Sequence, residues 1–159
     1  MRANSVSRCW LRRAAGCVPL VVLAGCVAPA APVVLSPVAA GAARIWFYRD
    51  YEPSVSLNMA SVALNGATVA YVEAFGNALY RDVPAGRYHI TAANVGTDVN
   101  QAKDVDLAPG QEAFVKILAS SSWEAGGNLT SYRRDTFYVS LVPAQVARAE
   151  LAAHPLRGG

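Results

Sequence analysis

Three cysteines, two histidines and a scatter of serines and acidic residues are the side chains of this 159-residue chain that could serve as nucleophiles, bases or metal ligands. Nucleophilic catalysis sets a hydroxyl or thiol beside an oriented base. His89 falls on the polar side of an alternating stretch, His154 lies close to the C-terminus, and no serine sits in a Gly-x-Ser-x-Gly elbow. Metal sites need clustered ligands at short, regular spacing, and the sequence has none. Asp98, Asp104 and Asp106 lack the loop spacing and closing glutamate of a calcium site, so they read as solvated charges at strand ends. Gly126-Gly127 and Gly158-Gly159 stand outside any phosphate-loop context. The chain is therefore expected to be non-catalytic, with no metal and no cofactor.

Cys26 is the residue whose surroundings specify a chemistry. Arg2, Arg8, Arg12 and Arg13 form a positive leader, residues 14–23 are apolar, and Leu23-Ala24-Gly25 puts small residues just before the cysteine. That is the layout of a secretory signal, and the apolar run falls short of the about 20 residues that span a bilayer. Leu23-Ala24-Gly25-Cys26 resembles the lipobox of bacterial lipoproteins. The resemblance implies that residues 1–25 are removed as a signal peptide and that the Cys26 thiolate takes a diacylglyceryl group. A competing run, Ala14-Ala15-Gly16-Cys17, lacks the leucine and an apolar stretch before it. Each buried methylene contributes roughly 0.8 kcal/mol to membrane attachment, so the two or three acyl chains implied hold permanently. Val27 stands where an aspartate would favour inner-membrane retention. The expected location is thus the outer membrane, with the domain facing the periplasm.

Removal of 25 residues leaves 134, the size of one domain. Four of the 14 basic residues belong to the leader, which has no acidic ones, so ten remain against eleven acidic residues. The net charge of +3 therefore leaves with the leader and gives no reason to expect a nucleic-acid partner. Cys9 and Cys17 leave as well, and with Cys26 acylated no disulfide is possible.

The elements that must carry any site are short strands. Residues 26–42, with Pro29, Pro32 and Pro37, read as a lipidated cysteine and an Ala/Pro-rich tether. Residues 43–154 read as the folded domain and 155–159 as a tail. Arg44-Ile45-Trp46-Phe47-Tyr48-Arg49 is aromatic and β-branched, as strands are. Asn65-Gly66 marks a tight hairpin between residues 61 and 71. Residues 87–92 alternate apolar and polar, as a half-buried antiparallel strand does. Pro84-Ala85-Gly86 and Pro109-Gly110 mark turns, residues 120–131 a polar loop, and 136–142 a last strand. Pro143 opens an Ala-rich helix over 145–153. The fold class expected is all-β, an antiparallel β-sandwich of about seven to eight short strands with a short C-terminal helix.

The stretch from Arg44 to Ala92 resembles an uncharacterised family of small Gram-negative lipoproteins. The residues that carry this are Ile45-Trp46-Phe47-Tyr48-Arg49, the Asn65-Gly66 hairpin and Asp82-Val83-Pro84-Ala85-Gly86-Arg87-Tyr88. The last run is also similar to the V-P-x-G-x-Y turn of PEGA domains, with Ala85 in place of a common second proline. The resemblance implies a lipid-anchored β-sandwich and supplies no catalytic residues.

Two groups of residues have the character of recognition sites. Arg44, Trp46 and Tyr48 share one face of the first strand, opposite Ile45 and Phe47; either the helix or tether covers that face, or it is a surface for a partner. Trp123 lies among serines, and is either a lid over the end of the sandwich or an exposed anchor. The expected function is a non-catalytic structural or protein-interaction module of the envelope. Its partners would be the membrane, through acyl chains on Cys26, and an envelope protein or glycan. The alternative is a periplasmic binding module for a small apolar or glycan ligand at the sandwich end near Trp123. An aromatic-lined cavity of about 300 Å³ or more would favour the alternative.

Overall fold

The computed structural model describes residues 35–52, 55, 57–74, 76–93, 99–126, 131–154 and 156. Cys26 and the expected leader lie outside them, as does Asp98. Eight strands and one helix follow one another in the described residues: β1 (Ala42–Tyr48), β2 (Ala60–Leu64), β3 (Ala67–Val72), β4 (Ala78–Pro84), β5 (Gly86–Ala92), β6 (Ala102–Leu107), β7 (Glu112–Ala125), β8 (Ser131–Leu141) and α1 (Ala144–Leu151). They form two four-stranded sheets, ordered β4-β1-β7-β8 and β3-β2-β5-β6. All pairings are antiparallel except β1 with β7, which run parallel. This is the β-sandwich with a C-terminal helix that the alternation and turn residues predict.

The alternation of side chains explains the packing. Ala43, Ile45 and Phe47 of β1 point between the sheets and meet Val62 and Leu64 of β2, Ile90 of β5, Val115 and Ile117 of β7 and Phe137 and Val139 of β8. The other face of the first sheet would be left bare by two layers alone. There, Trp46, Tyr48, Ala78 and Phe114 pack against Ala147 of α1, with Val142, Leu151 and Leu156 at the margin. That is why β1 has apolar bulk on both sides. Packing extends to Leu156, which bridges to Ala78, inside the stretch expected to be tail.

Turn chemistry sets the connections. Asn65 (φ 50°) and Gly66 (φ 84°) both adopt positive φ, the backbone of a tight hairpin whose twist matches its strands. Pro84-Ala85-Gly86 and Ala108-Pro109-Gly110 do something different: each carries the chain from one sheet to the other. Both corners fasten to the start of β1, with the Ala85 N–H donating to Gly41 O at 3.0 Å and the Gly110 N–H to Ala42 O at 2.7 Å. The chain therefore enters the domain at the end of the sandwich where these corners meet.

One expectation needs correction. The sequence predicts a polar loop over 120–131 and a last strand over 136–142, but β7 continues to Ala125 and pairs with β8 from Ser131. The serines have no apolar partners to mark a strand, because this part of the hairpin runs beyond the opposing sheet. Its order comes from the cross-strand ladder.

Candidate functional site

Arg44, Trp46 and Tyr48 stand side by side on β1, yet they do not form an open recognition surface. Each is almost fully buried. Directly across the β1–β4 pair, Asp82 accepts two bonds from Arg44, from Nε at 2.6 Å and Nη2 at 2.8 Å. Nη2 also donates to Ser36 O, which draws the segment before β1 onto this face. The Asp82 bond holds the guanidinium above its usual range, and Arg44 in return holds the Asp82 carboxyl below its own. The guanidinium also lies 4.1 Å from the Tyr80 ring centroid, a cation–π contact.

Trp46 is stacked on Phe114 at 6.4 Å between centroids and tilted against Tyr80 at 5.2 Å. Its indole N–H donates to Glu112, whose other oxygen accepts from Arg148 of α1 at 2.7 Å. Burial raises the Glu112 carboxyl, but the bonds from Arg148 and Trp46 outweigh it and leave it below its ordinary value. Beside this stack lies a cavity of about 360 Å³, lined by Trp46, Phe114, Leu151, Leu156 and Leu35 together with the Glu112–Arg148 pair. It is the aromatic-lined space that the sequence associates with ligand binding, but it lies under α1 and far from Trp123.

Tyr48 leads into a polar cluster that spacing along the chain does not reveal. Its hydroxyl donates to Glu150 at 2.7 Å, and burial first, then this bond, pushes the phenol well above its ordinary value. Lys116 Nζ reaches both Glu150 at 2.9 Å and Asp50 at 2.5 Å. His154, 8 % exposed, places Nε2 2.9 Å from Asp50 Oδ1 and Nδ1 against Gly76 O. Burial opposes ionisation of Asp50, yet the bonds from Lys116 and His154 hold its carboxyl below its usual range. His89 is, as expected, on an outward face, 2.7 Å from Asp104 and accessible to solvent. Among the described residues, no three His, Cys, Asp or Glu side chains come together to hold a metal ion.

Trp123 is 74 % exposed and sits in β7, directly across from Arg133 of β8. It follows Ile117, Ala119 and Ser121 on the face that lower down is core, so it is exposed because the second sheet ends before it. Lys116 is level with the last residue of β1; seven residues further, Trp123 stands about 23 Å beyond it at strand rise. Around it, Ser121 donates to Asp135 at 2.7 Å, Arg133 donates to Ser121 at 2.9 Å, and on the opposite face Tyr132 and Arg134 both donate to Glu124 at 3.0 Å. Asn58 donates to Asp135 at 2.6 Å, which ties the ribbon to the β1–β2 connection. The hairpin projects away from the end at which the chain enters.

The chain matches no family model and is similar to no curated protein. Among the described residues, no helix is long and apolar enough to cross a membrane.

Proposed function

We propose that this chain is an envelope lipoprotein, anchored through acyl chains on Cys26, whose β-sandwich acts as a non-catalytic structural or protein-interaction module. The observation that carries the reading is the placement of Trp123 and Tyr132, both exposed on a ribbon that extends past the sandwich at the end opposite the tether. Aromatic side chains of this size are costly to leave in water and are enriched at the centres of interfaces. The same end exposes Tyr51, Leu57 and Met59 from the β1–β2 connection. A domain held to a membrane by one end, with exposed aromatic side chains set among charged ones at the other, suits contact with a partner some distance from the anchoring leaflet. The lipobox, Val27 and the resemblance to small Gram-negative lipoproteins support an outer-membrane location facing the periplasm.

A photo-crosslinking residue at position 123 of the full-length protein, expressed in a Gram-negative envelope, tests this. A discrete adduct at 123, absent with the crosslinker at the exposed Tyr71, is the expected result. Equal, diffuse labelling at both positions would overturn the reading.

The second reading, a binding module for a small apolar ligand, is favoured by the 360 Å³ cavity beside Trp46 and Phe114. Its polar neighbours satisfy one another through the Glu112–Arg148 and Trp46–Glu112 bonds, so the ligand would be apolar rather than a glycan. An environment-sensitive apolar dye that brightens with the wild-type protein, but not with Phe114→Ala of equal helicity and fold, would favour it.

A further inference from the structure

The far part of β7 has an edge that no strand occupies. β1 pairs with β7 only as far as Lys116, and β7 runs on to Ala125 with β8 alone beside it. The Val142 N–H donates to Phe114 O at 2.9 Å, which makes that pair a hydrogen-bonded one, and such pairs alternate along an antiparallel ladder. Even-numbered residues of β7 therefore bond to β8, and odd-numbered ones turn N–H and C=O the other way. As the alternation requires, the Val139 N–H, across from Ile117, bonds away from β7, to Asn100 O. Among the described residues, no backbone bond reaches Ala119, Ser121, Trp123 or Ala125 from the open side.

The other sheet edges among the described residues are guarded. β4 carries Arg81, Asp82 and Pro84, and β6 carries Lys103 and Asp104. β8 has Arg133 and Arg134, while in β3 the Val69 carbonyl accepts from Arg81 Nε and the ladder with β2 slips register after Val62. Charges, prolines, bulges and covered backbone are what keep sheet edges from pairing. β7 from Ala119 to Ala125 has no proline, lysine or arginine and no slip against β8. Its one charge, Glu124, is held by Tyr132 and Arg134. The ribbon is also incomplete as a sheet, since two strands with solvent on both faces are marginal alone.

We propose that this edge pairs with the same edge of a second copy, antiparallel about a two-fold axis through Ser122. The self-complementarity of the edge selects the occupant. Pairing centred on Ser122 sets Ala119 opposite the copy's Ala125 and Ser121 opposite the copy's Trp123, so every outward residue of this edge exchanges both of its bonds. Each Trp123 then lies diagonal to its counterpart on one face, within reach of an aromatic ring. That covers one flank of a side chain which the single chain leaves 74 % exposed. Glu124 meets Ser120, and no like charges face each other. The two ribbons join into one of four strands, with the ends at which the chains enter at its far extremes, clear of the contact. The inference rests on the proposed role of this ribbon as the docking end and names its partner.

Ser122→Cys in the full-length protein in detergent tests it. Position 122 stands across from itself in a non-hydrogen-bonded pair, about 4.5 Å between Cα atoms, within disulfide reach, so oxidation should give a dimer. Ser120→Cys, exposed on the same face, lies four residues from its counterpart, about 14 Å at strand rise, and should stay at the wild-type background set by the native cysteines. Ser121→Pro removes an outward N–H and leaves the backbone bonds to β8 intact; it should abolish the dimer seen by sedimentation while sheet circular dichroism is kept. The two cysteine variants decide alone if Ser121→Pro does not fold. A wild type that sediments as a monomer, or equal oxidation at 120 and 122, overturns the proposal. The mass of the adduct formed by a photo-crosslinker at 123 separates its failure from that of the docking role. A discrete adduct with a different protein overturns the second copy and leaves the docking end standing, whereas diffuse labelling removes both.

Discussion

Arg44 and Asp82 face each other in register across β1 and β4 and are joined by two hydrogen bonds, at 2.6 and 2.8 Å, with the arginine 3 % exposed and the aspartate side chain 34 % exposed. The pair puts a charge deep in the aromatic face of the sheet and neutralises it from the rim. It also holds the segment before β1, because the same guanidinium donates to Ser36 O.

Removing the acceptor should therefore leave a buried cation short of partners. Asp82→Asn is expected to lower stability by about 1–3 kcal/mol, the range for leaving a buried polar partner unsatisfied, and toward the lower end because solvent reaches Asp82. The pH dependence has a definite sign. Asp82 is depressed in the folded state, so its contribution is fully present above the unfolded carboxylate value of about 3.9 and is lost as pH falls through the lower folded value. Denaturant midpoints of wild type and variant should thus differ at pH 7 and converge toward pH 2. A gap that persists unchanged into acid would rule out an ionic origin.

How much of this was legible in the sequence depends on the range of the interaction. The Asn65-Gly66 hairpin, the corners at Pro84 and Pro109 and the alternation of β5 are local, and their residue types carry the backbone geometry. The doubled apolar face of β1 is readable too, but its occupant is not: the sequence leaves a cover by helix or tether and a partner surface both open, and only the packing of Ala147, Leu151 and Leu156 against Trp46 and Tyr48 decides for the cover. The Asp50–Lys116–Glu150–His154 cluster was not, because its members are separated by up to 104 residues and meet through the sheet order β1-β7 and the return of α1. The register of a sandwich is long-range information. The extension of β7 through Ser120-Ser121-Ser122 was missed for a different reason: strand recognition relies on an apolar face, and a ribbon with solvent on both sides has none. The cavity beside Trp46 likewise arises only where Leu35, Phe114, Leu151 and Leu156 converge.

The hairpin at Asn65-Gly66 offers a clean test of backbone strain. A Cβ at Gly66 would meet nothing within 4 Å, so the site is open to a β-carbon and the cost of substitution lies in the backbone. Its φ of 84° is poorly tolerated by β-branched residues. Gly66→Val should lower stability by about 1–2 kcal/mol, and Gly66→Asn by clearly less, since asparagine tolerates positive φ. Equal melting temperatures for the valine variant and the wild type would contradict the turn.

Lipidation makes a prediction about mass rather than stability. If the Leu23-Ala24-Gly25-Cys26 run is processed as its resemblance implies, intact-mass analysis of protein extracted from membranes should give a chain beginning at Cys26 and carrying acyl groups. Cys26→Ser should remove that mass and shift the protein out of the membrane fraction or leave its leader uncleaved. A wild-type chain that begins at another residue, or begins at Cys26 without acyl mass, would falsify the anchoring.

Trp123 separates the two roles an isolated tryptophan can play. Truncating a buried one costs about 3–5 kcal/mol. At 74 % exposure, Trp123→Ala should instead change stability by no more than about 0.5 kcal/mol, the usual range for surface positions. Iodide provides the complementary measurement. Trp46 is 4 % exposed and should resist the quencher, and Trp10 belongs to the expected leader, so nearly all quenchable emission should come from Trp123 and disappear in Trp123→Phe. Partner capture should weaken in Trp123→Ala while the melting temperature holds. If folding falls by several kcal/mol and the emission is protected from iodide, the aromatic belongs to the packing of the sandwich and the projecting ribbon has no claim to be the docking end.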